Sequence, residues 1–89
     1  MKDRYLEVTF RKGKPLAAYL YLPRQPGAKS VRTEKRANGI LVDYGEKGEV
    51  IGLEITAPGA VAADDINEVL RGLGLGKIDA EELAPLAAA

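Results

Sequence analysis

The sequence predicts an α+β fold: an antiparallel β-meander of about five strands, followed by one amphipathic helix and a short C-terminal helical turn. Three observations lead there. Short stretches of alternating or continuous apolar residues recur between residues 4 and 56. Gly, Pro and Asn-Gly punctuation separates them. A single stretch with helical spacing comes only afterwards, from Asp64.

The strands follow in order. Arg4 to Phe10 (RYLEVTF) puts Leu6, Val8 and Phe10 on one face and Tyr5, Glu7 and Thr9 on the other. RKGKP reads as a turn, with Gly13 free to take positive φ and Pro15 closing it. In Leu16 to Leu22, Leu16, Ala18, Leu20 and Leu22 share one face while Tyr19 and Tyr21 share the other, so both sides ask for cover. The prolines of Pro23 to Lys29 lack the N–H a ladder needs, which predicts a loop. Ser30 to Arg36 is charged and weakly alternating, as suits an edge strand. Asn38-Gly39 then signals a tight turn into Ile40 to Tyr44.

Residues 40–56 (ILVDYGEKGEVIGLEIT) form the clearest hairpin. Gly45 to Gly48 is the connection, with Gly48 in left-handed geometry. A four-residue loop sets Tyr44 against Glu49, Val42 against Ile51 and Ile40 against Leu53. Leu41, Asp43, Val50, Gly52 and Glu54 then share the less apolar face. After APGA, Asp64 and Asp65 suit a helix start. Ile66, Val69, Leu70 and Leu73 make one apolar stripe, ended by Gly72 and Gly74. Asp79 to Glu82 has the spacing of a second helix start, which Pro85 cuts short. The expected organisation is a single domain over residues 1–76 and, over 77–89, a helical turn with a frayed tail.

Composition removes whole classes of chemistry. The 89 residues include neither cysteine nor histidine, so zinc sites, disulfides and Cys–His or Ser–His catalysis are excluded. The opening MKDRYLEV does not read as a signal peptide, and no apolar run reaches the roughly 20 residues a bilayer span needs. The expectation is a cytoplasmic protein without membrane contact and without a cofactor. Thirteen Lys/Arg balance thirteen Asp/Glu, but the bases crowd the first half and the acids the second.

The hairpin residues carry a resemblance. Leu41 to Ile55 resembles the central signature of a family of small bacterial proteins catalogued as domain of unknown function 2283, a V-x-D-x-D-x-x-G-x-V-V-G-I-E-I pattern. Asp43, Gly48, Gly52, Glu54 and Ile55 match it, and Ala17 to Leu22 resembles the family's tyrosine-bearing strand. The resemblance covers roughly residues 5–57. Where the family often carries an Asp before that tyrosine, this chain has Leu16 and Ala17. The resemblance implies a small meandering sheet with a helix. It implies no activity beyond an antitoxin-like partnership with a small toxin-like protein.

The candidate residues fall into three groups. Asp43 and Glu54 are the motif acids. At about 3.3 Å per residue the expected register separates them by some 13 Å, beyond the roughly 5–9.5 Å of a glycosidase pair. Asp43 is therefore expected to bond backbone N–H groups of the turn, and Glu54 to mark the wetter face. Arg11, Lys12, Lys14, Arg32, Lys35 and Arg36 form a candidate basic patch for phosphates. Tyr19, Tyr21, Leu41 and Val50 form a candidate partner or dimer surface. Gly72 to Lys77 lacks both the glycine spacing and the Ser/Thr of a phosphate loop, so it reads as a helix end. The sequence thus points to a non-catalytic interaction module that is a homodimer, an antitoxin-like partner being its sharpest version. The alternative is a small nucleic-acid binder using the basic half.

Overall fold

The computed structural model describes residues 4–23 and 27–87. It contains one antiparallel sheet of five strands, β1 (Tyr5–Arg11), β2 (Lys14–Tyr21), β3 (Arg32–Lys35), β4 (Ile40–Tyr44) and β5 (Val50–Ile55), and one helix, α1 (Ala63–Gly72). The fold class is the one the sequence predicts. The spatial order is β1-β2-β5-β4-β3. Strands β3, β4 and β5 form a local meander, and the hairpin β1–β2 joins it through the β2–β5 ladder. The loop after Leu22, of which residues 24–26 lie outside the described part, carries the chain to the far edge.

The turns obey local chemistry. Lys12 and Gly13 both have positive φ, 53° and 79°, so a two-residue turn replaces the longer one expected over RKGKP. Strand β2 consequently begins at Lys14 and includes Pro15. Pro15 is tolerated because β2 pairs with β5 only over residues 18–21, so no ladder is lost on that side. Next to the bulge between Thr9 and Phe10, Phe10 is 48% and Leu16 51% exposed, so neither is buried in the core as expected. Asn38 and Gly39, at φ 59° and 73°, turn β3 back onto β4 as expected.

One face of the sheet is dry. Ala18, Leu20 and Leu22 of the β2 arm, Ile40, Val42 and Tyr44 of β4, and Leu53 and Ile55 of β5 pack with Ile66, Val69 and Leu70 of α1. Burying a Leu or Ile of this kind is worth roughly 1.5–3 kcal/mol. Ala62 has no side chain to cap α1, but the Asp65 carboxylate accepts the Ala62 N–H at 2.9 Å, giving the acids of the first turn their use.

The segment after Gly76 forms the short C-terminal helical turn expected of it, docked on the core. Ile78, Leu83 and Leu86 are buried in the same core. Asn67 of α1 clamps Ile78 from both sides: its Oδ1 accepts the Ile78 N–H at 2.8 Å and its Nδ2 donates to the Ile78 carbonyl at 3.1 Å. The second helix start becomes turns at residues 80–83 and a 3₁₀ turn at Ala84–Ala87. A thin core explains the docking, because three apolar side chains are a large share of what so small a domain can bury. Residues 88 and 89 lie outside the described part.

Candidate functional site

The opposite face of the sheet is covered by no described element. It presents Tyr5 and Glu7 from β1, Tyr19 and Tyr21 from β2, Gly52 and Glu54 from β5, Leu41 and Asp43 from β4, and Thr33 and Lys35 from β3. This face is not the second apolar surface the sequence suggests. It is a tyrosine platform whose hydroxyls are held by carboxylates.

Tyr19 organises it. Its backbone stands opposite Glu54, yet its ring runs diagonally across β5 and its hydroxyl donates to Asp43 Oδ2 at 2.8 Å. The ring passes directly over Gly52, where a Cβ would sit 2.3 Å from the Tyr19 ring. Glycine at this position is therefore a space requirement; no positive φ is involved. Thr33 donates to the other Asp43 oxygen at 2.6 Å. Asp43 thus ties β2 and β3 to β4 over the top of β5. Tyr21 continues the platform, donating to Glu7 Oε1 at 3.2 Å and stacking on Tyr5 with ring centroids 4.5 Å apart. Tyr19 and Tyr21 rings meet at 4.7 Å with a 55° tilt.

The hairpin register explains why these contacts were not foreseen. Tyr44 stands against Val50 and Val42 against Leu53, with a bulge after Asp43 that leaves Ile51 unpaired. The expected pairing was two residues out along most of β4, so the faces survive but the neighbours change. Val50, expected on the open face, instead packs against the core opposite Tyr44. Asp43 stands opposite Gly52, with Glu54 only a diagonal neighbour away, about 7–8 Å, where 13 Å was expected. Asp43 does not serve the turn; Glu49 does, accepting the Lys47 N–H at 2.9 Å. Glu54, half-buried between Tyr19 and Leu41, has no hydrogen bond or ion pair to any described residue.

The basic residues do not converge. Arg11, Lys12 and Lys14 cluster at the tip of the β1–β2 hairpin, while Arg32, Lys35 and Arg36 lie on or beside β3, at the opposite edge. Four strand spacings, roughly 19 Å, separate the two edges. Arg32 and Arg36 are also engaged. Glu34 lies 2.7 Å from Arg36 and 3.3 Å from Arg32, Arg36 donates to the Tyr44 hydroxyl at 3.1 Å, and the Arg32 guanidinium sits 4.0 Å from the Tyr44 ring centroid. Loss of water around Glu34 pushes its carboxyl up, but the Arg36 charge and the hydrogen bonds from Arg36, Tyr44 and Arg32 outweigh this and hold it below its ordinary value. The Arg36 guanidinium is held above its ordinary value by the Tyr44 hydrogen bond and by Glu34, against the effect of burial. Hydrophobic patterning gave no signal for this cluster.

Among the described residues, no group of three or more Asp or Glu is arranged to hold a metal ion. Nor is any helix among them long and apolar enough to cross a membrane.

Tyr19, Thr33, Asp43, Gly52 and Glu54 all fall within one stretch. Residues 17–57 match the family model described as protein of unknown function DUF2283. This similarity spans a little under half of the chain: β2 from Ala17, then β3, β4 and β5 entire, without β1 or α1. The part of the chain similar to that family is therefore the part that builds the tyrosine–aspartate bridge. No curated protein and no solved structure matches the chain.

Proposed function

We propose that this chain is a non-catalytic interaction module whose binding surface is the open tyrosine face, and that its partner presents a basic segment there. One observation carries the reading: Glu54 lies half-buried between Tyr19 and Leu41, with no cation among the described residues to answer it. An Arg or Lys from outside would gain the carboxylate and the neighbouring ring together, a combination favourable at partly dry sites. Glu7, Asp43 and Glu54 stand around Tyr19, while Lys35 lies on the β3 edge and Arg11 and Lys14 at the β1–β2 hairpin tip, so the middle of the face is negative, which a basic protein segment complements. A second copy laid face to face would instead set these acids against one another. An antitoxin-like partnership with a small basic protein is the specific form this takes, by analogy with the family the hairpin resembles.

Asp43 does not serve as an acid–base group in this reading, because each of its oxygens already accepts a hydrogen bond from a hydroxyl. The experiment is capture of partners on the full chain and on Glu54→Lys, with identification of both protein and nucleic acid retained. The expected result is a basic protein held by the native chain and lost from the variant. Retention of nucleic acid with a steep salt dependence would favour the basic-half alternative and overturn the reading.

A further inference from the structure

The two edges of the sheet are unequal. Strand β3 is four residues long and carries Arg32, Glu34 and Lys35, features that discourage pairing with other chains. Strand β1 is seven residues long, has no proline, and no described residue pairs with its outer side. The ladder shows which backbone groups that side offers. Leu22 N–H bonds to the Ile51 carbonyl across to β5, so even-numbered residues of the β2 arm face β5 and odd-numbered ones face β1. Through the pairs Tyr5–Tyr21 and Glu7–Tyr19, the odd-numbered residues of β1 bond inward. The N–H and C=O groups of Leu6, Val8 and Phe10 therefore point away from the sheet.

We propose that β1 pairs antiparallel with β1 of a second copy, about a twofold axis at Val8. This register makes hydrogen-bonded pairs of Leu6 with Phe10, Val8 with Val8 and Phe10 with Leu6, and it uses the whole strand. On the helix side it seats Phe10, 48% exposed in the single chain, against Leu6 of the other copy. On the open side it sets Arg11 over Tyr5, 47% exposed, and Thr9 beside Glu7. Shifting the axis one step toward the N-terminus would place Glu7 against Glu7, which like-charge repulsion opposes. The outcome is one continuous sheet of twice five strands, with the two tyrosine faces side by side. The interface is an edge and does not depend on what binds the open face.

The test is light scattering and sedimentation of the full chain, with a register-specific cross-link. The expected particle is twice the 9.5 kDa chain. Phe10→Lys, at an exposed position, should weaken the dimer roughly tenfold or more, because both cross-strand apolar pairs are lost. The chain has no cysteine of its own, so Glu7→Cys and Thr9→Cys chains can be mixed and oxidised. Residues 7 and 9 face each other across the proposed pair, with Cα atoms about 4.5 Å apart, so the mixed disulfide should form. Residues 7 and 7, or 9 and 9, lie roughly 8 Å apart diagonally, beyond disulfide reach. A particle that stays at one chain's mass up to high concentration overturns the proposal. So does a dimer that survives Phe10→Lys and gives no preference for the mixed disulfide.

Discussion

The two faces of the sheet are built from the same alternating strands yet held by different forces. On the helix side, Leu20, Ile40, Leu53, Ile55, Ile66 and Leu70 are fully excluded from water and pack in one cluster. On the open side, order comes from directed bonds: two hydroxyls converge on Asp43, one on Glu7, and Gly52 yields the space for Tyr19. The first face is filled from within the chain, by α1 and by Ile78, Leu83 and Leu86. The second is held by these bonds while Glu54 stays half-exposed between Tyr19 and Leu41, which is what preorganised binding requires.

The contrast can be broken most severely from the dry side. Leu20→Ala should cost about 3 kcal/mol, since its site is completely buried and the neighbours cannot all collapse into the cavity. Thermal unfolding monitored by circular dichroism should show a fall in Tm of more than roughly 10 °C for a domain of this size. Gly52→Ala comes next, at about 2 kcal/mol. Its Cβ must push the Tyr19 ring off the sheet and break the bond to Asp43, so tyrosine fluorescence should change together with stability. Tyr19→Phe keeps the ring and removes only the hydroxyl, at about 1 kcal/mol by denaturant titration. If Tyr19→Phe cost as much as Gly52→Ala, the steric role assigned to Gly52 would be wrong.

Two further changes test the surface. The Glu34 carboxyl is lowered in the folded chain, so its contribution to stability is present above the ordinary value of 4.5 and is lost as pH falls through the lower folded value. Glu34→Gln should therefore lower stability at neutral pH, with the difference from the native chain vanishing as pH falls, so that the acid limb of a stability–pH profile below about pH 4.5 is flattened. Glu54→Lys should have the smallest effect on folding, within about 0.5 kcal/mol, while abolishing capture of a basic partner. A large folding defect in that variant would show that Glu54 is structural.

Much of the scaffold was legible in residue order because alternation and turn chemistry are local. Asn38-Gly39, Gly48 and the Ile66–Val69–Leu70 stripe stand where their own chemistry puts them. The misreadings share one origin. The bulge after Asp43 moved its partner from Val50 to Gly52, and the two-residue turn at Lys12-Gly13 drew Pro15 into a strand. Each depends on energies of long-range pairing that a short window of sequence does not contain. Docking of Ile78, Leu83 and Leu86 was hidden for the same reason: sparse apolar residues in a glycine- and acid-rich tail acquire a partner only when α1 supplies Asn67 and a groove.

Sequence alone determined the strand and helix types, the wet and dry sides of most strand positions, and the exclusion of cysteine and histidine chemistry, because these follow from side-chain identity and spacing along one chain. Only the tertiary structure decided that β5 lies between β2 and β4. That placement carries Tyr19 over Gly52 to Asp43, and brings Thr33 to the same carboxylate from the far strand. The physical reason is that a hydroxyl–carboxylate bond between strands distant in sequence is selected by the packing of the whole sheet, and leaves no periodic trace in any of them.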